Sequence, residues 1–252
     1  MDSAVSANRV VRQEPRSVKD PSAFAAMPTE YQELVIHQMM VHTEGELSGA
    51  DDYIDLFYGM TRSAYEKKTC CERGAEEMDH YRKGAKILAD LGHDTSFMID
   101  TPLQERNLYA TEAVKSINSW VERGFFSFLG EAAVLEVLKE MLDSSYAPIA
   151  DMCPSVIAEE KVHVAHGLRI IREFCQTPEG LREAQEALTR WWPIALDTFG
   201  TTGSRRSPLY VKWGLRKFTN AEARHRFIAL TEPKVERLGL TVPDHLNNRK
   251  FL

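Results

Sequence analysis

Two short phrases in this chain nearly repeat one another: EEMDHYRKG at residues 76–84 and EEKVHVAHG at residues 159–167. Each reads Glu-Glu-x-x-His and lies in a stretch whose apolar residues recur at helical spacing. Residues three apart share a helix face, so Glu77 with His80, and Glu160 with His163, can offer a carboxylate and an imidazole to one point. Oxygen and nitrogen donors together suit iron. One Glu-x-x-His is a weak signal, because exposed helices carry it by chance. Two copies on two long helices constrain the fold, since both pairs must turn inward and face one another if they serve one site.

The rest of the chain reads as helix. Pro28, Thr29 and Glu30 mark a helix start, Ile36, Met40 and Leu47 follow at helical spacing, and Gly49 to Asp52 reads as an interruption. A second helix is expected from near Thr61 to Leu91, with Gly92 stopping it. A third is expected over 111–143, and a fourth over Val156 to Cys175 after a turn marked by Pro148 and Pro154. TPEGLREAQEALTRWWPIALDTFG reads as a fifth helix, GTTGSRRSPLY as a loop, and a last helix begins near Asn220. Strand alternation with hairpin turns is lacking. The class is all-α, with residues 1–27 as a flexible N-terminal arm and 28–252 as one domain.

Helical carboxylate proteins place one Glu on each of two helices and a Glu-x-x-His on each of two others. That scheme asks for a lone Glu on the helix before each phrase. In FLGEAAVLEV, Glu131 sits inside an apolar stretch, where an unpaired carboxylate costs several kcal/mol to bury and so needs a partner. Before the first phrase, VHTEGELSG offers Glu44 or Glu46. Periodicity favours Glu44, which aligns with Met40 and Leu47. Spacing favours Glu46: Glu131 precedes Glu160 by 29 residues and Glu46 precedes Glu77 by 31, against 33 for Glu44. The candidate ligands are Glu46, Glu77, His80, Glu131, Glu160 and His163, whose four carboxylates balance two divalent ions. His42 and His166 could support the ligands by hydrogen bonds, and Asp79 reads as a solvated or supporting carboxylate. Phe125, Phe128, Leu135 and Met39 are candidates for a substrate pocket, against plain core packing.

Composition excludes several other classes. The net charge of −6 and pI near 5.8 speak against nucleic acid, and no run approaches the roughly 18 apolar residues of a membrane span. The N-terminus lacks the apolar block of a secretory signal, so a cytoplasmic location is expected. Cys70, Cys71, Cys153 and Cys175 are too irregularly spaced for a disulfide framework or a zinc site.

Beyond the ligand phrases, HTEGELSG, SSYAPIADM, RWWPIALDTFG and WGLRKFTNAEARHRFIALTEPKVERLGLTVPD are long and specific strings. With them the chain resembles, from about residue 30 onward, the phenylacetic acid catabolic family. That family's ring 1,2-phenylacetyl-CoA epoxidase has a ferritin-like, non-haem di-iron catalytic subunit. The resemblance selects Glu46 over Glu44. It implies a ferritin-like four-helix bundle with additional C-terminal helices. It also implies two Fe ions held by the six candidate residues, which act through that centre, and a monooxygenase that uses O2 on an aromatic or CoA-thioester-like organic substrate. A reductase or other electron donor and a homo- or hetero-oligomer are the implied partners, with neither nucleic acid nor membrane. The basic stretch GSRRSPLYVKWGLRK could neutralise the phosphates of a CoA tail, serve as a subunit contact or be a solvated loop. Two departures bear on the substrate: the family pattern has Asp where this chain has Glu131, and it continues where this chain stops at NNRKFL. Alternatives are an N-oxygenating or other tailoring enzyme, a structural partner subunit, and an iron store.

Overall fold

The computed structural model describes residues 12–107 and 114–252. Four long helical rods carry the centre. The first, α1 (Thr29–Asp51), starts where Pro28 supplies its carbonyl to the Tyr31 and Gln32 amides. It does not stop at Gly49 to Asp52 but runs on into a π-helical turn, Asp52–Phe57. Gly49 has a packing role there. A Cβ at that position would stand 3.2 Å from the Glu77 carboxyl carbon, so glycine lets the two helices close on the carboxylate.

Ser63 caps α2 (Ala64–Asp90) by accepting the Glu66 amide, and Gly92, at φ +82°, turns the chain out of it. The expected third helix is split. Residues 111–113, its expected start, lie outside the described residues. Regular helix begins at α3 (Trp120–Phe125), capped by Ser119, passes through a second π-helical turn, Phe126–Glu131, and continues as α4 (Ala132–Met141).

The fourth rod, α5 (Ala147–Phe174), begins about nine residues earlier than the prolines suggest. Pro148 occupies the first turn, where its missing N–H costs nothing, but Pro154 lies inside the helix. An interior proline costs about 3 kcal/mol. Ile149, Ala150, Met152 and Cys153 are all buried in that stretch, and burial of each large apolar side chain contributes about 1.5–3 kcal/mol, so packing outweighs the break.

The rods associate in two pairs: α1 packs on α2, and α5 packs on the α3–π–α4 rod. The later helices are α6 (Pro178–Asp197), α7 (Ser207–Lys212) and α8 (Asn220–Glu236). Thr177 caps α6, and Thr219 with Glu222 forms a capping box on α8. One apolar core gathers around Trp191, Trp192, Phe125 and Phe227, and a second around Tyr31, Val35, Met39, Leu88 and Leu138. From the stretch read as an arm, residues 1–11 lie outside the described residues, while Val18 and Phe24 are buried in the second core. Among the described residues the only β contact is a single bridge between Val18 and Tyr146. The protein is an all-α, ferritin-like bundle with extra C-terminal helices. Among the described residues no helix is long and apolar enough to cross a membrane.

Candidate metal centre

The four rods bring Glu46, Glu77, His80, Glu131, Glu160 and His163 together in the interior, all buried. Donor atoms of Glu46, Glu77, His80 and Glu160 lie within 4.8 Å of one another, and so do those of Glu77, Glu131 and His163. Each imidazole turns Nδ1 into a group of three carboxylates. His80 Nδ1 is 3.1 Å from Glu46, 3.6 Å from Glu77 and 3.4 Å from Glu160. His163 Nδ1 is 3.1 Å from Glu77, 3.6 Å from Glu160 and 3.9 Å from Glu131. Glu77 and Glu160 therefore reach both halves, while Glu46 and Glu131 stand at the two ends.

The outer nitrogens explain why each phrase doubles its glutamate. His80 Nε2 bonds Glu159 at 2.6 Å, and His163 Nε2 bonds Glu76 at 2.8 Å. The leading Glu of each phrase thus holds the histidine of the other, fixing Nδ1 as the inward atom. The spacing argument missed these two residues, although the doubled Glu was the visible signal. Glu76→Gln and Glu159→Gln are each expected to weaken metal affinity by about 10- to 100-fold without unfolding the bundle. Competition with a chromophoric chelator would read this, and unchanged affinity in both variants would refute it.

Glu44 is buried too, but its carboxylate belongs to neither group. Two residues from Glu46 is about 200° around the helix. The apolar stripe that favoured Glu44 points elsewhere: Leu47 packs with Tyr81 and Met98, and Met40 lies against them. Glu46 instead shares its face with His42, whose Nδ1 is 3.0 Å from Glu46 Oε1. Glu46→Ala should therefore lower the bound metal while Glu44→Ala keeps it all, and the reverse result by metal analysis would overturn the assignment.

Glu131 is held at its end of the cluster by a residue with no sequence signal. The Tyr53 hydroxyl, fully buried, donates to Glu131 Oε1 at 2.9 Å and lies 3.1 Å from Ser127 Oγ. Tyr53 comes from one π-helical turn, Ser127 and Glu131 from the other; such turns shift side chains by a register that a 3.6-residue period does not foresee. Arg123, also fully buried, donates to the Tyr53 oxygen at 3.2 Å. His166 does not reach the centre. It bonds Glu66 at 2.8 Å and lies 3.3 Å from Arg123. Asp79 is exposed and pairs with Arg82.

The electrostatics fit cations. Burial pushes the Glu46 carboxyl above its ordinary range, and burial plus the neighbouring Glu77 charge raises Glu160 as well. Burial alone would lower both histidines, but the carboxylates around them outweigh it and raise His80 and His163 well above the usual imidazole range. Without metal, imidazolium protons thus offset part of the clustered negative charge. Glu131 Oε2 and Glu160 Oε2 are buried with no hydrogen-bond partner, which is costly unless another group is received there. The donor set is geometrically suited to two metal ions. Because a metal must displace protons from the raised histidines and from Glu160, its affinity should climb as pH rises through neutrality and binding should release protons. Calorimetry in buffers of different ionisation enthalpy checks this; buffer-independent heats would contradict it.

A cavity of about 330 Å³ reaches the carboxylate side of the cluster. Its wall includes Glu46, Glu77, Glu131 and Glu160, then Val41, Phe126, Val134, Val137, Leu138 and Met141. The four residues expected to line a pocket do not. Phe125 and Phe128 belong to the core around Trp191, and Leu135 and Met39 to the core around Tyr31. Phe126 and Val134, each one position away, face the cavity instead.

Known proteins share both the sequence pattern and the fold. The profile of the phenylacetic acid catabolic protein family matches residues 25–250. The chain belongs to this family. It is 28% identical over 224 residues to one of the subunits of the 1,2-phenylacetyl-CoA epoxidase of Escherichia coli (strain K12), covering 86% of this chain and 71% of that one. In fold it is similar to a variant R2-like ligand-binding oxidase with a reconstituted Mn/Fe cofactor. The TM-score is 0.59 at 15% identity, over 88% of this chain and 87% of that one. Family membership and the buried cluster together support a di-iron type of oxidoreductase.

Proposed function

We propose that this family member is a non-haem di-iron monooxygenase that uses O2 to oxygenate an organic substrate held in the cavity beside the centre. One observation carries the reading: the cavity meets the cluster on its carboxylate side, whereas the two histidines are tied down on the far side by Glu76 and Glu159. A reacting group can therefore approach the centre without displacing an imidazole. Glu46, Glu77, His80, Glu131, Glu160 and His163 would hold two iron ions, which supply the redox equivalents and the O2 activation. Tyr53 and His42 keep the end carboxylates Glu131 and Glu46 oriented. Val41, Val134, Val137, Leu138 and Met141 make the approach apolar and exclude bulk water.

Electrons would come from a separate reductase, and a homo- or hetero-oligomer in the cytoplasm is the setting in which we place the chain. The similar Escherichia coli protein is named for phenylacetyl-CoA epoxidation, which makes aromatic CoA thioesters a natural first assay. A purely structural role is disfavoured by the complete donor set, since scaffolding needs none of the six residues. The test is O2 uptake by iron-loaded, chemically reduced protein in a sealed electrode cell. Uptake in proportion to reduced centres is expected; iron-loaded protein that leaves O2 untouched would overturn the proposal.

A further inference from the structure

The charges at the cavity mouth narrow the substrate class, an inference that rests on the oxygenase reading above. The basic stretch over residues 205–217 is mostly committed. Lys212 Nζ pairs with Glu30 at 2.8 Å, Arg216 makes a two-pronged contact with Glu140 at 3.0 and 2.8 Å, and Lys217 pairs with Asp143 at 2.7 Å. Arg206 differs. It lines the cavity, is exposed, and has no hydrogen-bond or ion-pair partner for its side chain among the described residues. Arg205 is exposed but does not line the cavity. His37, also on the wall, is bonded through Nδ1 to the Tyr210 hydroxyl at 3.0 Å. Burial and then the Arg206 charge lower its pKa, so at neutral pH it adds no second cation.

The mouth thus offers one uncommitted positive charge, the middle is apolar, and the inner end is a cluster of carboxylates. We propose that the substrate is an amphipathic monocarboxylic acid, bound with its carboxylate on Arg206 and its apolar chain running inward to the centre. One guanidinium matches one carboxylate, whereas a polyphosphate tail would call for the lysines and arginine that Glu30, Asp143 and Glu140 already neutralise. The inner carboxylates repel the reverse orientation. His37, which feels the Arg206 charge, and Glu46 lie nine residues apart on α1, or about 13 Å along the axis, room for a medium-length chain between the two ends.

The experiment is isothermal titration of iron-loaded protein with decanoate, 1-decanol and decanoyl-CoA, with iron content measured on the same samples. Decanoate should bind roughly tenfold or more tightly than 1-decanol, the size of a charge-assisted hydrogen bond. Arg206→Gln should remove that difference while leaving 1-decanol unchanged, and Arg205→Gln should leave both as they are. Thermal melting of each variant confirms the fold. Absent decanoate binding, decanoate binding unaffected by Arg206→Gln, or tighter Arg206-dependent binding of decanoyl-CoA would each overturn the acid site. Protein that takes up no iron on loading yet binds decanoate through Arg206 would sink the oxygenase reading and leave the acid site standing.

Discussion

Glu77→Ala is expected to reduce bound metal to background while leaving a folded helical protein. Glu77 belongs to both donor groups, 3.1 Å from His163 Nδ1 and 3.6 Å from His80 Nδ1, so its loss opens both halves at once. Loss of Glu46 or Glu131 opens one end only. Three buried carboxylates remain to face the two imidazoles, so the charge left behind is not isolated and the helices still pack. Asp79→Ala is the natural control, because Asp79 is exposed and paired only with Arg82. Metal analysis with circular dichroism on both variants checks this. A Glu77→Ala protein that keeps both ions would mean that the groups do not share this carboxylate.

Gly167→Ala is expected to destabilise the fold sharply. A Cβ there would stand 2.5 Å from the Phe128 amide nitrogen, 2.6 Å from the Gly124 carbonyl oxygen and 2.7 Å from Ser127 Cβ. Two of those atoms are backbone and cannot rotate away, so α5 must move off the α3–π–α4 rod. Forced overpacking of this kind costs about 3 kcal/mol or more, which for a chain of this size lowers Tm by roughly 6–12 °C. The displaced surfaces carry His163 one turn earlier and Glu131 in the facing π turn, so metal retention should fall as well. Calorimetric melting of the metal-free protein isolates the packing effect. A melting point within a degree or two of the parent would contradict it.

Much of the centre was legible because helical spacing turns sequence into geometry. Glu77 with His80 and Glu160 with His163 needed only the three-residue rule, and Glu131 was exposed by its apolar surroundings. Glu46 was harder. The stripe through Met40 and Leu47 is real, but it faces Tyr81 and Met98 rather than the buried cluster, so periodicity reported packing and not the cluster face. Local pattern also failed where tertiary packing decides. Pro154 reads as part of a turn, yet burial of Ile149, Met152 and Cys153 carries the helix through it. The two π-helical turns leave no mark in composition. With them went Tyr53 as the support of Glu131. For the basic loop a phosphate site, a subunit contact and a solvated loop all stayed open, because sequence shows cations without their partners; Glu30, Glu140 and Asp143 lie 182, 76 and 74 residues away.

The central claim is that six buried side chains from four helical rods form one two-metal centre. Quantifying iron in protein loaded anaerobically with Fe(II) and freed of excess tests it most directly. The two donor groups predict two irons per chain, and a stoichiometry of one or none would contradict the account.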